Sequence, residues 1–364
     1  MRIENLISIL ENYAPIHLQE SYDNSGLIIG HPQDEVKNAL ICLDVTEGVL
    51  NEAIDNGFEL IISHHPLIFR GINKINRKNS VERIIVNAIK HNIAIYALHT
   101  NMDNVIQGVN GKIAQKLGLI NVSVLDAKKD LFRKIVTFCP HNYAEKVRNA
   151  LFEAGAGQIG DYDSCSFNAE GMGTFKGNNN TNPFVGAKNE LHYEPEIRIE
   201  TIYPFHKEQK IIEALLLSHP YEKVAYDIFR LENQYQEFGS GLIGELKTKL
   251  DEVVFLGQLK NIFNIHTIRH SNLLNKPIKR VAVCGGAGSF LIKKAISSGA
   301  DIFITGDIKY HDFFESEGKL IIADIGHYES EQFTKELIHT ILIKKIPNFA
   351  LQISGLNTNP INYF

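Results

Sequence analysis

The chain has no tryptophan, three methionines and four cysteines in 364 residues. Cys42, Cys139, Cys165 and Cys284 lie far apart and form no Cys-x-x-Cys pair, which argues against the dense disulfide framework of small secreted domains. They read as reduced thiols, and Cys42 and Cys284, set inside apolar runs, as buried structural ones. No apolar run reaches the about 18 residues that a membrane-spanning helix needs. Met1-Arg2-Ile3-Glu4-Asn5 places acidic and amide residues where a signal peptide would be apolar. These absences predict a soluble cytoplasmic protein with no membrane partner. Positive charge is not in excess either: the net charge is −5, and neither half carries a Lys/Arg stripe, which disfavours a nucleic-acid partner. What is present is an ordinary globular balance, 44% hydrophobic against 22% charged, over a length that suits two or three domains.

The flanking parts resemble each other. Residues 39–65 (ALICLDVTEGVLNEAIDNGFELIISHH) and 281–307 (VAVCGGAGSFLIKKAISSGADIFITGD) both read as strand, short turn, amphipathic helix and second strand. A further strand follows each, at 92–99 and 319–326. Continuous apolar strands alternating with helices predict a buried, parallel or mixed sheet with right-handed crossovers. The middle differs. Strands at 133–139, 195–203 and 223–231 and helices at 142–154 and 207–217 predict a separate α/β sandwich of roughly 100 residues. The polar stretch from Gly171 to Asn182 reads as a loop. The expected fold class is α/β: two related halves, 1–128 and 235–364, forming one core, with 129–234 inserted between them.

In parallel α/β sheets the crevice forms at the carboxyl ends of the strands. Three predicted ends carry metal-type ligands: Ser63-His64-His65-Pro66, His99 through Asp103, and Gly326 through Glu331. Adjacent side chains on extended backbone point to opposite sides, so His64 and His65 suit two neighbouring ions better than one. His327 and Glu331, four apart at the start of a helical pattern running to Lys345, share a face. Singly, His64-His65 reads equally as a capped turn and Asp103 as an N-cap before 105–117, while His327/Glu331 reads first as a solvated helix pair. Jointly they predict a site for two divalent metal ions. Imidazoles and carboxylates favour zinc first, with manganese, iron or cobalt also compatible, over calcium or magnesium. With five protein ligands for two ions, positions stay open for water or a small-molecule substrate, the profile of a hydrolytic centre. Asp44, His99, Asp307 and His311, also at strand ends, are candidates for orienting a ligand or for acid/base chemistry, with turns and caps as the plainer alternative. Gly285-Gly286-Ala287-Gly288-Ser289 could seat a phosphate, but it lacks the Lys-Ser/Thr of a Walker loop and reads first as a tight turn.

On YDNSGLIIG (22–30), IISHHPLIF (61–69), ALHTNMD (97–103), CGGAGS (284–289), ITGDIKYHD (304–312) and DIGHYESE (324–331), the chain resembles the NGG-interacting-factor-three-like family, often labelled GTP cyclohydrolase 1 type 2 homologs. The family's two-metal ligands fall on His64, His65, Asp103, His327 and Glu331. One departure is Tyr22, where the motif usually has tryptophan; an aromatic is kept. The resemblance implies a PII-like or CutA-like insertion of ferredoxin type and a hexameric toroid with the metal sites facing an inner cavity. The label implies hydrolysis of the GTP imidazole ring. Two functions therefore compete: a dinuclear metal-dependent hydrolase acting on a small molecule such as a nucleotide, and a non-enzymatic metal-binding hexameric scaffold or partner-binding regulator.

Overall fold

The computed structural model describes residues 1–233 and 237–363. The chain divides into two compact units, Met1–Ala127 with Gln236–Phe364, and Lys128–Tyr235. The expected boundary at 234/235 lies outside the described residues.

The first unit begins with five strands: Gly26–Ile29 (β1), Asn38–Cys42 (β2), Leu60–Ser63 (β3), Ala94–Ala97 (β4) and Ile120–Ala127 (β5). The second unit contributes Phe132–Pro140 (β6), Phe167–Phe175 (β7), His192–Pro204 (β8) and Tyr226–Arg230 (β9). The chain then returns to the first unit with Gly239–Leu250 (β10), Arg269–His270 (β11), Ile278–Ala287 (β12), Ile302–Gly306 (β13), Ile321–Asp324 (β14) and Ala350–Ile353 (β15).

Two sheets build the first unit, in the orders β1-β4-β3-β2-β15 and β11-β14-β13-β12-β10-β5. In each, three strands from one repeat run parallel: β2, β3 and β4 in one, β12, β13 and β14 in the other. Every residue of β3, β4, β13 and β14 is buried, as strands covered on both faces require. Leu40, Ile61 and Ile95 pack with Val49, Leu50, Ile84 and Ile85 from the crossover helices Glu47–Asp55 and Ser80–Lys90. Each such burial contributes about 1.5–3 kcal/mol. Both helices start on side-chain caps, Thr46 accepting from Val49 N and Asn79 from Glu82 N.

The two sequence halves do not map one to each sheet, because their last strands change places. β5, from the first segment, pairs with β10 in the second sheet, and β15, near the end of the chain, pairs with β2 in the first. Pattern alone leaves this open, since an apolar strand fits any edge of suitable register.

The second unit is one four-stranded sheet, β7-β8-β6-β9, with the helices His141–Glu153 and Glu208–Ser218 packed through Val147, Leu151, Ile211 and Leu215 onto Ile135, Cys139, Ile199 and Tyr203. The loop expected at Gly171–Asn182 is corrected here. Gly171–Phe175 belongs to β7, whose backbone pairs with β8 from Phe167↔Glu200 to Phe175↔His192. Its glycines weaken the apolar alternation that would have marked a strand, but backbone pairing needs no side chain. The order is therefore βαββαβ. No helix among the described residues is long and apolar enough to cross a membrane.

Candidate metal centre

The register of the first sheet sets Cys42, Ser63 and Ala97 side by side, so β3 and β4 end at one edge. His64 and His65 follow β3 directly. After β4 the chain turns through the short helix Thr100–Asp103, which ends on Asp103. From the second sheet, β14 leads through Gly326 into the helix His327–Glu331, which precedes and is distinct from Thr334–Lys345. The single helical pattern expected from Glu331 to Lys345 thus begins as one turn bearing His327 and Glu331 on a common side.

These five side chains converge as two sets that share Glu331. His64 Nε2 lies 3.7 Å from Asp103 Oδ1 and 3.7 Å from Glu331 Oε1. His65 Nε2 and His327 Nε2 lie 3.0 and 3.1 Å from Glu331 Oε2, and 3.3 Å from each other. Ligand atoms about 2.0–2.1 Å from one ion stand roughly 2.9–3.4 Å apart on its coordination polyhedron, so both sets have the spacing that a cation would tighten onto. His64 Nε2, Asp103 Oδ1 and Glu331 Oε2 are buried without a hydrogen-bond partner. Buried polar atoms are nearly always paired, and three orphans in one place are what an ion site leaves when considered without its ion. These histidine and carboxylate groups could hold a metal ion.

Each imidazole is aimed by its other nitrogen. His64 Nδ1 is 2.7 Å from Leu98 O, His65 Nδ1 2.7 Å from Asp44 Oδ1, and His327 Nδ1 2.7 Å from Asp307 Oδ2. Such partners fix the ring and raise its basicity. Thr358 donates to the other Asp44 oxygen at 2.7 Å. Asp307 has φ +55°, a left-handed conformation that Asp tolerates better than most side chains. Of the four acid/base candidates, Asp44 and Asp307 are therefore orienting groups. His99 sits against the cluster, its ring centroid 5.4 and 5.3 Å from those of His64 and His65, and it forms a third possible donor group with them. His311 is not brought to the cluster: it is exposed and packs edge-on against Tyr310. It begins a 3-10 turn beyond β13 that carries it outward.

Charge is strongly coupled here. Burial opposes charge on His65, but Asp44 and Glu331 outweigh it and hold the imidazole up at about 10. Burial likewise opposes charge on His327, and Glu331 and Asp307 hold it up at about 9. Burial lowers His64. Burial and then the Glu331 charge push Asp103 well above the usual carboxylate range, whereas the imidazoles, His64 foremost, overcome burial and hold Glu331 well below it. An anionic pocket that gathers protons in this way is one in which a divalent cation replaces them.

One feature escaped the sequence reading. Asp23 lies 2.7 Å from His99 Nδ1 and accepts from Ser25 Oγ and from the Thr100 backbone N–H and hydroxyl. Burial acts against its charge, but His99 and Thr100 hold its carboxyl well below the usual range. The only sequence signal was its place between Tyr22 and Asn24. The turn expected at 285–289 is corrected by the structure. Gly285 and Gly286 lie not in a turn but in β12, at a register irregularity between Val283 and Ala287, and their N–H groups donate to Asn110 Oδ1 and Ser330 Oγ, so both are already used. At Gly286, φ +64°, a Cβ would collide with the Glu331 carboxylate.

Fold and site together define a mixed α/β protein whose strand ends bring histidines and carboxylates into a metal-type cluster. The chain belongs to the Duf34/NIF3 (NGG1p interacting factor 3) family, whose model matches residues 1–360. It is 39% identical over 372 residues, covering 100% of both chains, to a protein of Halalkalibacterium halodurans named GTP cyclohydrolase 1 type 2 homolog. Among solved structures it is similar to a Bacillus cereus protein related to NIF3 (37% identity, TM-score 0.79), covering 100% of this chain and 99% of that one. It is also similar to Staphylococcus aureus protein SA1388 (31% identity, TM-score 0.80), with the same coverage.

Proposed function

We propose that the chain is a dinuclear metal-dependent hydrolase acting on a small molecule, a nucleotide or a related heterocycle. The observation that carries this reading is Glu331, one carboxylate whose two oxygens face two separate sets of donors. His64 and Asp103 with Glu331 Oε1 would hold one divalent ion, and His65 and His327 with Oε2 a second. The donor set favours zinc first among zinc, manganese, iron and cobalt. When bound, two such ions supply Lewis acidity and an activated water for attack on substrate.

The chain's own residues supply the rest. Asp44 and Asp307 hold His65 and His327 with Nε2 turned inward. His99, fixed by Asp23, stands beside the cluster to accept or deliver a proton. Tyr22 and Phe69, both exposed with ring centroids 6.3 Å apart, flank it, and Phe69 lies 6.0 Å from His99. Set at 54° to each other, the two rings offer apolar faces for a heterocycle. The name shared by the curated relatives makes GTP the first substrate to test. With this reading go the ring hexamer that the family resemblance implies, the cytoplasmic location drawn from the sequence, and a PII- or CutA-type inserted unit, supported by its βαββαβ order.

The test is protein stripped of metal, reloaded with zinc, manganese, iron(II) or cobalt, and assayed against GTP, other nucleotides and phosphoesters. His64→Ala and Glu331→Ala serve as controls, and light scattering reads the assembly. Turnover that requires metal and is lost in both variants is expected. No turnover by any metal form refutes hydrolysis and leaves the scaffold reading.

A further inference from the structure

On the two-set reading of Glu331 proposed above, we infer that Thr358 and Asn359 are positioning residues for the His65/His327 set and not for the His64/Asp103 set. β15 runs parallel to β2, with Ile353 beside Ile41, and the Ser354 N–H donates to Ile41 O at 2.8 Å. The chain therefore leaves β15 at the edge where β2, β3 and β4 also end. Residues 354–363, which follow, form neither helix nor strand. Their own side chains shape them instead. In Asn357-Thr358-Asn359-Pro360 each asparagine turns back on the chain, Asn357 Oδ1 accepting from Asn359 N and Asn359 Oδ1 from Ile361 N, both at 3.0 Å. Pro360 biases Asn359 toward extended backbone. With its oxygen taken, the Asn359 amide has its NH₂ left to donate.

The two side chains reach different halves of the cluster. Thr358 Oγ1 donates to Asp44 Oδ2 at 2.7 Å, and the other oxygen of that carboxylate lies 2.7 Å from His65 Nδ1. Asn359 Nδ2 donates at 2.9 Å to Oε1 of Glu329, which stands between His327 and Glu331 on their short helix. Adjacent residues, about 3.8 Å apart at Cα, thus tie the group that aims one imidazole to the helix that carries the other. The imidazoles tied in this way are the pair whose Nε2 atoms stand 3.3 Å apart and share Glu331 Oε2. Among the described residues no hydrogen bond joins 354–363 to His64 or Asp103, and His64 is aimed by the backbone oxygen of Leu98.

The segment is held by these bonds and not by a core. Ser354 Oγ and Gly355 N donate to the Glu52 carboxylate, which fastens its near end. Beyond Ser354, only Thr358 and Asn359 are partly buried; Leu356, Ile361 and Tyr363 are exposed. Against it lies a cavity of about 330 Å³, lined by Gln332, Lys335, Asn357 and Asn359 among others, so no close-packed layer backs the two bonds. Losing one of them therefore frees the aim of a metal ligand and removes little buried apolar surface, which separates its effect on metal binding from any effect on folding.

The experiment uses the full chain, stripped of metal and titrated with zinc against a chromophoric chelator, with thermal melting of the stripped protein alongside. Wild type is expected to show two classes of site, and His327→Ala, which removes one of them, identifies it. Thr358→Val keeps the shape and removes the hydroxyl; it should weaken the His65/His327 class by about tenfold and leave the other within about threefold of wild type. Asn359→Ala should do the same. Thr358→Ser, which keeps the hydroxyl, should restore that class to within about threefold of wild type. Because Thr358 acts through Asp44, Thr358→Val added to Asp44→Asn should weaken the class by no more than about threefold beyond Asp44→Asn alone. If Thr358→Val does not fold, as melting would show, Asn359→Ala carries the test. Variants that bind zinc as wild type does, that weaken both classes equally, or that Thr358→Ser fails to rescue overturn the inference and leave the two-ion reading standing. Fewer than two zinc ions bound per wild-type chain overturns both.

Discussion

Asp44→Asn probes the metal centre from one bond behind its ligands. Asp44 sets one oxygen 2.7 Å from His65 Nδ1 and takes the Thr358 hydroxyl on the other. The amide has nearly the same shape and still offers His65 an acceptor, so the change removes a charge rather than packing. Losing such an orienting carboxylate costs about 10–100-fold in metal affinity, or about 1.4–2.7 kcal/mol. The geometry confines the loss to one ion, because Asp44 touches only the set made by His65, His327 and Glu331 Oε2. Titration of stripped protein with zinc against a chromophoric chelator should show one class of site weakened by that factor, and the His64/Asp103 class within about threefold of wild type. The pH dependence has a definite sign. Without metal, His65 is held up at about 10, in part by Asp44, so below that pH the cation must displace a proton. The variant's imidazole loses that proton at lower pH, so its affinity levels off first while the wild type's continues to rise. The gap between them widens as pH rises toward 10. Equal weakening of both classes, no weakening, or a gap that narrows with rising pH would refute the two-set arrangement.

Glu331→Gln, which strikes the one group common to both sets, should empty both, read as loss of all bound metal by plasma mass spectrometry. Gly286→Ala places a Cβ in left-handed backbone and against the Glu331 carboxylate. It should cost about 1–3 kcal/mol in stability and weaken metal binding, checked by denaturant unfolding and the same titration. Asp251→Ala removes the carboxylate that accepts from Val253 N and Val254 N at the start of the helix Glu252–Phe263. A loss of about 1 kcal/mol is expected, which lowers Tm by about 2–4 °C in a unit of this size; metal content should not change. Asp23→Asn should leave metal stoichiometry intact but lower turnover, since Asp23 contacts His99 and none of the five cluster residues.

What the sequence disclosed and what it withheld follow from the range over which each signal acts. The repeats at 39–65 and 281–307 were legible because parallel strands covered on both faces must be continuously apolar, and the helix period between them is local. Strand ends bearing His64-His65 and His327 were legible for the same reason, since the end of an apolar run fixes where the next side chain emerges. The exchange of β5 and β15 was not legible. Their partners are chosen by edges far away in the chain, and no local period encodes that choice. Asp23 was hidden because its meaning lies in a contact 76 positions away, with His99. The candidates Asp307 and His311 divide on a still finer point. Both follow β13 within a few residues, but Asp307 adopts the left-handed turn that directs its carboxylate to His327, while the chain carries His311 outward into a 3-10 turn. Sequence spacing fixes which end of a strand a residue occupies; the backbone dihedral of one residue then decides whether it enters the site. This is why the four neighbours divided into orienting, adjacent and remote groups, and why substitutions that alter one backbone dihedral, such as Gly286→Ala at φ +64°, threaten the centre as directly as changes to its ligands.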